Sequence, residues 1–96
     1  VDTNWRRLMA AESGIRAIQT FDTSDLATKI AGEVPAGDIA NGHFNADIYM
    51  APKDQRKVDK FIVFGMAAAK QAVEDSGWKP TDDEGLNRTG VMIGSG

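Results

Sequence analysis

Cysteine is absent from this 96-residue sequence, and histidine occurs once. Without cysteine, these residues can form no disulfide, no thiolate metal site and no cysteine nucleophile. The sequence is therefore compatible with a reducing compartment. It also has no apolar run near the ~20 residues that a membrane-spanning helix needs, and no signal-peptide pattern. Nothing in it indicates a membrane protein.

Basic residues are fewer than acidic ones. Eleven Lys and Arg stand against fourteen Asp and Glu, giving a net charge of −3, which argues against nucleic acid as the main partner. With 42% apolar and 26% charged residues, the composition is that of a globular chain rather than a disordered one. The length allows at most one small domain, which would be marginal in stability unless well packed.

Both ends of the sequence suggest a piece of a longer protein. The sequence opens on Val1 rather than Met, and it closes on Gly94-Ser95-Gly96 directly after a segment that we interpret as a buried strand. A strand that ends in a glycine turn usually leads into another element. We therefore expect residues 1–96 to be a fragment.

The first segment is predicted to be helical. Asp2 or Thr3 can cap it, because their side-chain oxygens accept from free backbone N–H groups. Its apolar residues fall at helical spacing on one face, namely Trp5, Leu8 and Met9. Gly14 suits the position after the helix, since glycine tolerates the left-handed conformation. Residues 28–34 are then predicted to form a short strand. Residues 35–45 are predicted to form a surface loop with at most one helical turn.

A long helix is predicted over residues 53–76. Apolar and small residues keep a 3.6-residue period from Val58 to Val73, and Ser76-Gly77 ends the pattern. Its second half should be deeply buried because it is rich in small residues: Gly65, Ala67, Ala68, Ala69 and Ala72. After an acidic loop, residues 89–94 are typical of a buried strand. Helix, loop, strand and glycine turn together favour an α/β layer over a helical bundle.

A basic cluster at the start of this helix is the clearest candidate site. Its four cations are Lys53, Arg56, Lys57 and Lys60, and the interleaved Asp54 and Asp59 leave the segment at +2 within an acidic chain. A helix over the whole segment would place the four cations on one face, away from the apolar side. Such a patch can steer a negatively charged partner. The alternative interpretation is that these cations form an ordinary helix face exposed to solvent, with no binding role.

Other candidate residues are less specific. Gly94-Ser95-Gly96 could begin a phosphate-cradling loop, but we interpret it as a tight structural turn. Ile93 stands where a serine nucleophile elbow needs glycine. His43 lies in the predicted loop without a partner that would make it catalytic or a metal ligand. Asp82, Asp83 and Glu84 lack the glycine and spacing of a calcium loop, so we interpret them as solvated acids.

Several segments, in their order and spacing across nearly the whole chain, resemble the N-terminal part of the β-ketoacyl-acyl-carrier-protein synthases. They are Trp5…Leu8…Ser13-Gly14-Ile15, Phe21-Asp22, Ile30-Ala31-Gly32-Glu33-Val34, Lys53-Asp54-Gln55-Arg56-Lys57-Val58-Asp59-Lys60-Phe61, Gln71-Ala72…Asp75-Ser76-Gly77, and Arg88-Thr89-Gly90-Val91-Met92-Ile93-Gly94-Ser95-Gly96. Within the family, the basic helix start and the Arg-Thr-Gly strand resemble the elongating type II synthases.

The resemblance implies a thiolase-like fold, in which each half is a mixed β-sheet between helix layers. Residues 1–96 would be an incomplete part of the N-terminal half. It also implies a decarboxylative condensation, in which an acyl group on a cysteine is attacked by malonyl-acyl carrier protein after loss of carbon dioxide. Two histidines would assist decarboxylation. No metal or dissociable cofactor is implied, and a cytoplasmic homodimer is expected.

The resemblance places the family's cysteine and both histidines beyond Gly96, so no catalytic residue is assigned here and the chain alone should be inactive. It implies that Lys53, Arg56 and Lys57 dock acyl carrier protein. Lys60 does not match a usual docking position. Two other functions stay open: a non-catalytic partner subunit that sets chain length, and an autonomous acidic binding module.

Overall fold

A computed structural model describes residues 1–94. Ser95 and Gly96, and with them most of the predicted glycine turn, lie outside the described residues. The chain divides into two compact units, Val1–Phe44 and a second that begins at Asn45. Each unit is described by itself below.

Helix α1, Asp2–Met9, opens the first unit, as the apolar spacing predicts. Neither Asp2 nor Thr3 caps it, because Val1 occupies the N-cap position and no side chain bonds to the first turn. The prediction that Gly14 closes the helix is also wrong. Ala11, at φ 54°, takes the left-handed position. The N–H groups of Ala11 and Glu12 bond back to the carbonyls of Leu8 and Arg7, both at 3.0 Å, so a Schellman motif closes the helix three residues before Gly14.

A two-stranded antiparallel sheet follows α1. Strand β1 is Ile15–Ala17 and strand β2 is Ile30–Gly32, with Arg16 opposite Ala31. Strand β2 confirms the centre of the strand predicted at 28–34. Its partner β1 was not predicted, because three residues are too short a segment for an alternating pattern to be recognised.

The loop predicted over residues 35–45 is confirmed. It contains one 3-10 turn, Ile39–Asn41, in which the Asp38 side chain accepts from the Ala40 N–H. A single parallel bridge joins Ala36 to Phe44. His43 is half-buried and packs on Gly37, where an added Cβ would stand 2.8 Å from the ring Nδ1. This position indicates a packing role for the histidine.

In the second unit, the single long helix predicted over 53–76 is wrong at its start. The structure has a short helix α2, Pro52–Gln55, and a separate helix α3, Lys60–Ser76. Asp59 breaks the path because its backbone is extended (φ −75°, ψ 156°), a conformation typical of an N-cap residue. The predicted end is confirmed, since Gly77 follows α3 in the left-handed conformation with φ 67°.

The small-residue half of α3 is less buried than the sequence predicts. Val63 and Ala67 are the buried apolar residues, at 5% and 3% exposure. Gly65 and Ala69 are half-buried, whereas Ala68 and Ala72 are exposed. Deep burial is therefore confirmed for Ala67 alone among the five small residues.

The final segment also departs from the prediction. The acidic residues predicted as a solvated loop begin a helix instead, α4, Asp83–Asn87, which Asp82 caps by accepting from the Gly85 N–H at 2.6 Å. Residues 89–94 form no strand, and Met92 is 98% exposed. A strand needs a neighbouring backbone to pair with. Among residues 1–94 no other strand pairs with this segment, so the buried-strand prediction is wrong for the structure described.

The described residues thus combine helices with one small antiparallel sheet. The predicted α/β layer of the long helix and a strand at residues 89–94 is not formed among them, because that segment has no strand partner. No helix among residues 1–94 is long and apolar enough to cross a membrane.

The chain exposes far more surface than its mass predicts. Its accessible area is 8065 Å², whereas a folded monomer of 10.3 kDa should expose about 5400 Å². Two separate folded bodies of half that mass would together expose about 6500 Å². Much apolar surface therefore faces solvent, including that of α1, where Trp5, Leu8 and Met9 are all exposed.

Candidate functional site

The basic segment, residues 53–60, lies at the junction of α2 and α3. Pro52 starts α2, a position where its missing N–H and fixed φ are suited to a helix. Backbone bonds continue the turn past the end of α2, since the Lys57 N–H donates to the Asp54 carbonyl at 3.0 Å. Residues 53–57 therefore form one continuous turn before the chain extends at Asp59.

The break changes which cations stand together. Lys53, Arg56 and Lys57 share the turn and are all exposed, with spacing that puts Arg56 and Lys57 one turn after Lys53. Lys60 begins α3, beyond the extended Asp59. The prediction that all four cations share one helix face is therefore wrong, because it required an unbroken helix. The three residues assigned to docking are the three that the turn brings together.

The three cations differ in their pairing. Lys57 Nζ lies 3.1 Å from Asp54 Oδ1, with side chains 70% and 45% exposed. Within residues 1–94, Lys53 and Arg56 make no ion pair, and neither does Lys60. Arg56 and Lys53 therefore present unneutralised charge to solvent, while the charge of Lys57 is shared with a neighbour.

Gln55 fixes the position of the turn. Its Nε2 donates to Asp47 Oδ1 at 2.8 Å and to the Met50 carbonyl at 2.7 Å. This side chain ties α2 to the 3-10 turn Ala46–Ile48, whose N-cap Asn45 accepts from the Asp47 N–H. Sequence reasoning missed Gln55. The available signal was a lone amide three residues before the apolar Val58, and both residues are half-buried in the structure.

The same 3-10 turn leads to a second anchor on α3. Gln71 Nε2 donates to the Tyr49 hydroxyl at 2.7 Å, and Lys70 Nζ lies 5.8 Å from the centre of the Tyr49 ring. Tyr49 thus holds the segment that carries Asp47 and Met50 against α3. The cations of residues 53–57, the basic turn, are exposed, but hydrogen bonds from two glutamines, Gln55 and Gln71, support the backbone behind it.

The other candidates that lie within residues 1–94 form no recognisable site. Trp78 borders a shallow groove, and its Nε1 donates to Thr89 Oγ1 at 2.8 Å, which fits a packing role. Asp82 is occupied in capping α4. Among residues 1–94, no group of three or more His, Asp or Glu is arranged to hold a metal ion.

Comparison with known proteins decides the family. The model of the β-ketoacyl synthase N-terminal domain matches residues 1–96. The chain belongs to the β-ketoacyl synthase family. The basic turn and helices α1 to α4 all lie within the residues that match this family model.

Curated synthases match along the whole chain. A 3-oxoacyl-[acyl-carrier-protein] synthase 2 from Rhizobium meliloti (strain 1021) is 50% identical over 99% of this chain, and that of Vibrio cholerae serotype O1 (strain ATCC 39315 / El Tor Inaba N16961) is 44% identical over all of it. A mitochondrial 3-oxoacyl-[acyl-carrier-protein] synthase from Arabidopsis thaliana is 34% identical over all of it. The chain spans 23%, 21% and 23% of the lengths of these relatives.

Proposed function

We propose that this chain is a fragment of the N-terminal domain of a 3-oxoacyl-[acyl-carrier-protein] synthase that elongates acyl chains. The observation that carries the proposal is the match over residues 1–96 to the family's N-terminal domain and to type 2 synthases. The reaction is condensation of an acyl-enzyme with malonyl-acyl carrier protein, with loss of carbon dioxide. Its cysteine and two histidines belong to the part of the synthase outside these residues.

In the whole synthase, the fold is a thiolase-like arrangement with a mixed sheet between helix layers. The large exposed surface supports this proposal, because the chain's own residues leave many large apolar side chains uncovered. Residues 89–94 supply a strand to that sheet, since Val91, Met92 and Ile93 are apolar, exposed and unpaired here. Burying such side chains contributes about 1.5–3 kcal/mol each, which favours their coverage by the rest of the domain.

The basic turn is the surface that docks acyl carrier protein, through Lys53, Arg56 and Lys57. The unpaired charges of Lys53 and Arg56 support this assignment, because free cations attract an acidic partner more strongly than neutralised ones. Anchoring by Gln55 supports it as well, since a fixed turn loses less conformational entropy on binding.

The test is charge reversal of Arg56 in the full-length synthase. We expect Arg56→Glu to raise KM for malonyl-acyl carrier protein severalfold and to weaken its dependence on salt, because a rim charge acts mainly on encounter and register. Turnover with malonyl-coenzyme A should change little. Lys79→Glu is the matched control, because Lys79 is exposed, unpaired within residues 1–94 and carries the same charge.

Equal kinetics for Arg56→Glu and Lys79→Glu with the carrier-bound substrate would contradict docking at the basic turn. The same assay tests the proposed reaction itself. A full-length protein that forms no 3-oxoacyl product and has no reactive cysteine would be the non-catalytic subunit that sets chain length.

A further inference from the structure

Asp54 is the one acid in the turn formed by residues 53–57, which also carries three cations, Lys53, Arg56 and Lys57. It is half-buried, and its Oδ1 holds Lys57 Nζ at 3.1 Å. The other acid of the basic segment, Asp59, is exposed and makes no side-chain cap to α3. It also forms no ion pair with the described residues. The two acids carry the same charge five positions apart, but only one of them neutralises a cation of the turn.

The pairing has a direct consequence for an acidic partner. A carboxylate that binds Lys57 from outside must compete with Asp54, which is already at hydrogen-bond distance. Asp54 is also covalently close, so its effective concentration at Lys57 is high. Lys53 and Arg56 face no such competitor within residues 1–94.

We propose that Asp54 is an internal competitor that withholds Lys57 from the docking surface and keeps the affinity for the acidic carrier low. This inference rests on the proposed docking function. Lys53 and Arg56 supply the contacts that form first, and Lys57 contributes only when its pair with Asp54 opens. Weak docking suits a carrier that must leave after each acyl transfer, because affinity within one interface is set mainly by the rate of dissociation.

The experiment measures the Kd of holo-acyl carrier protein for the full-length synthase, by surface plasmon resonance at two salt concentrations. We expect Asp54→Asn to tighten binding about two- to fivefold, in line with the small energies of exposed ion pairs. Fivefold corresponds to about 1 kcal/mol. Asp59→Asn is the matched control, because it removes the same charge and leaves the Asp54–Lys57 pair intact.

A double-mutant cycle assigns the effect to Lys57. In a Lys57→Gln background, Asp54→Asn should improve binding no more than Asp59→Asn does, because the released cation is gone. Rescue by Asp54→Glu, which restores the carboxylate, should return the affinity toward that of the wild type. Circular dichroism spectra that match the wild type confirm that the variants fold.

The outcomes separate the two proposals. If Arg56→Glu leaves the Kd unchanged, docking at the basic turn fails and the role of Asp54 fails with it. If Arg56→Glu weakens binding while Asp54→Asn and Asp59→Asn tighten it equally, docking stands. The internal competitor is then overturned, because the gain reflects total charge rather than the pair.

Discussion

In the first unit, the Glu33 carboxylate accepts hydrogen bonds from two residues that follow β1. One carboxylate oxygen accepts from the Thr20 hydroxyl at 2.6 Å, and the other accepts from the Gln19 N–H at 2.9 Å. These bonds close the segment that leaves β1 onto the residue that follows β2. The Thr20 hydroxyl bond, followed by the Gln19 N–H bond, holds the pKa of Glu33 below its usual value, because both favour the ionised carboxylate.

Removing the Thr20 hydroxyl should reduce the change in the free energy of unfolding between neutral and acidic pH. A folded-state pKa below the unfolded value of 4.5 contributes stability above about pH 4.5, and this contribution is lost as the pH falls through the lowered pKa. In the full-length synthase, we expect Thr20→Val to lower the melting temperature near pH 7, with a smaller difference from wild type near pH 3. Thr28→Val is the control, because Thr28 is exposed like Thr20 but is not a hydrogen-bond partner of Glu33. A difference that stays constant with pH would contradict this role of Glu33.

At the scale of elements, local chemistry explains which predictions held. The end of α3 was predictable because glycine at Gly77 adopts the left-handed conformation that closes a helix. The break before α3 was not, because the apolar period starts at Val58 and gives no sign of the extended backbone at Asp59. The docking residues were predicted from resemblance. The ion pair that distinguishes Lys57 from its neighbours is apparent only in the structure.

Strand predictions depended on partners that the sequence does not specify. Residues 30–32 form a strand because residues 15–17 pair with them. Residues 89–94 have the stronger apolar pattern but form no strand, because no segment among residues 1–94 pairs with them. The apolar pattern indicates which residues are suited to a buried strand. Whether they pair with another strand depends on the rest of the fold.

The close approach of Ile93 to α3 gives a test at the element scale. An added Cβ at Gly65 would stand 3.1 Å from Ile93 Cδ1, so Gly65→Leu must displace that side chain. In the full-length synthase we expect the substitution to cost about 1–3 kcal/mol through overpacking, measured as a lower melting temperature. Gly65→Ala is the graded control, because its methyl group alone stands 3.1 Å from Ile93 Cδ1 and needs only a small shift of that side chain, while alanine favours a helix. Its effect on the melting temperature should therefore be smaller than that of Gly65→Leu.

Ile93→Ala should make room for the larger residue. The loss caused by Gly65→Leu should therefore be smaller in an Ile93→Ala background than in the wild type. An unchanged melting temperature for Gly65→Leu would show that α3 and residue 93 do not pack as described.

For the whole molecule, the amount of apolar surface that is buried decides whether residues 1–96 can fold alone. Val63 and Ala67 are the buried apolar residues of the described part, and two such side chains bury too little area to offset the conformational entropy of ordering about a hundred residues. We therefore expect the rest of the synthase to cover α1, α3 and residues 89–94. An autonomous binding module would need none of this coverage.

Amide hydrogen exchange tests this requirement most directly, by mass spectrometry of peptides from α3 in two samples. One sample is residues 1–96 alone, and the other is the full-length synthase. We expect α3 to exchange rapidly in the isolated chain and to be strongly protected in the synthase, because only there is its apolar surface covered. Equal, strong protection in both samples would contradict the account, since residues 1–96 would then fold without the rest of the enzyme.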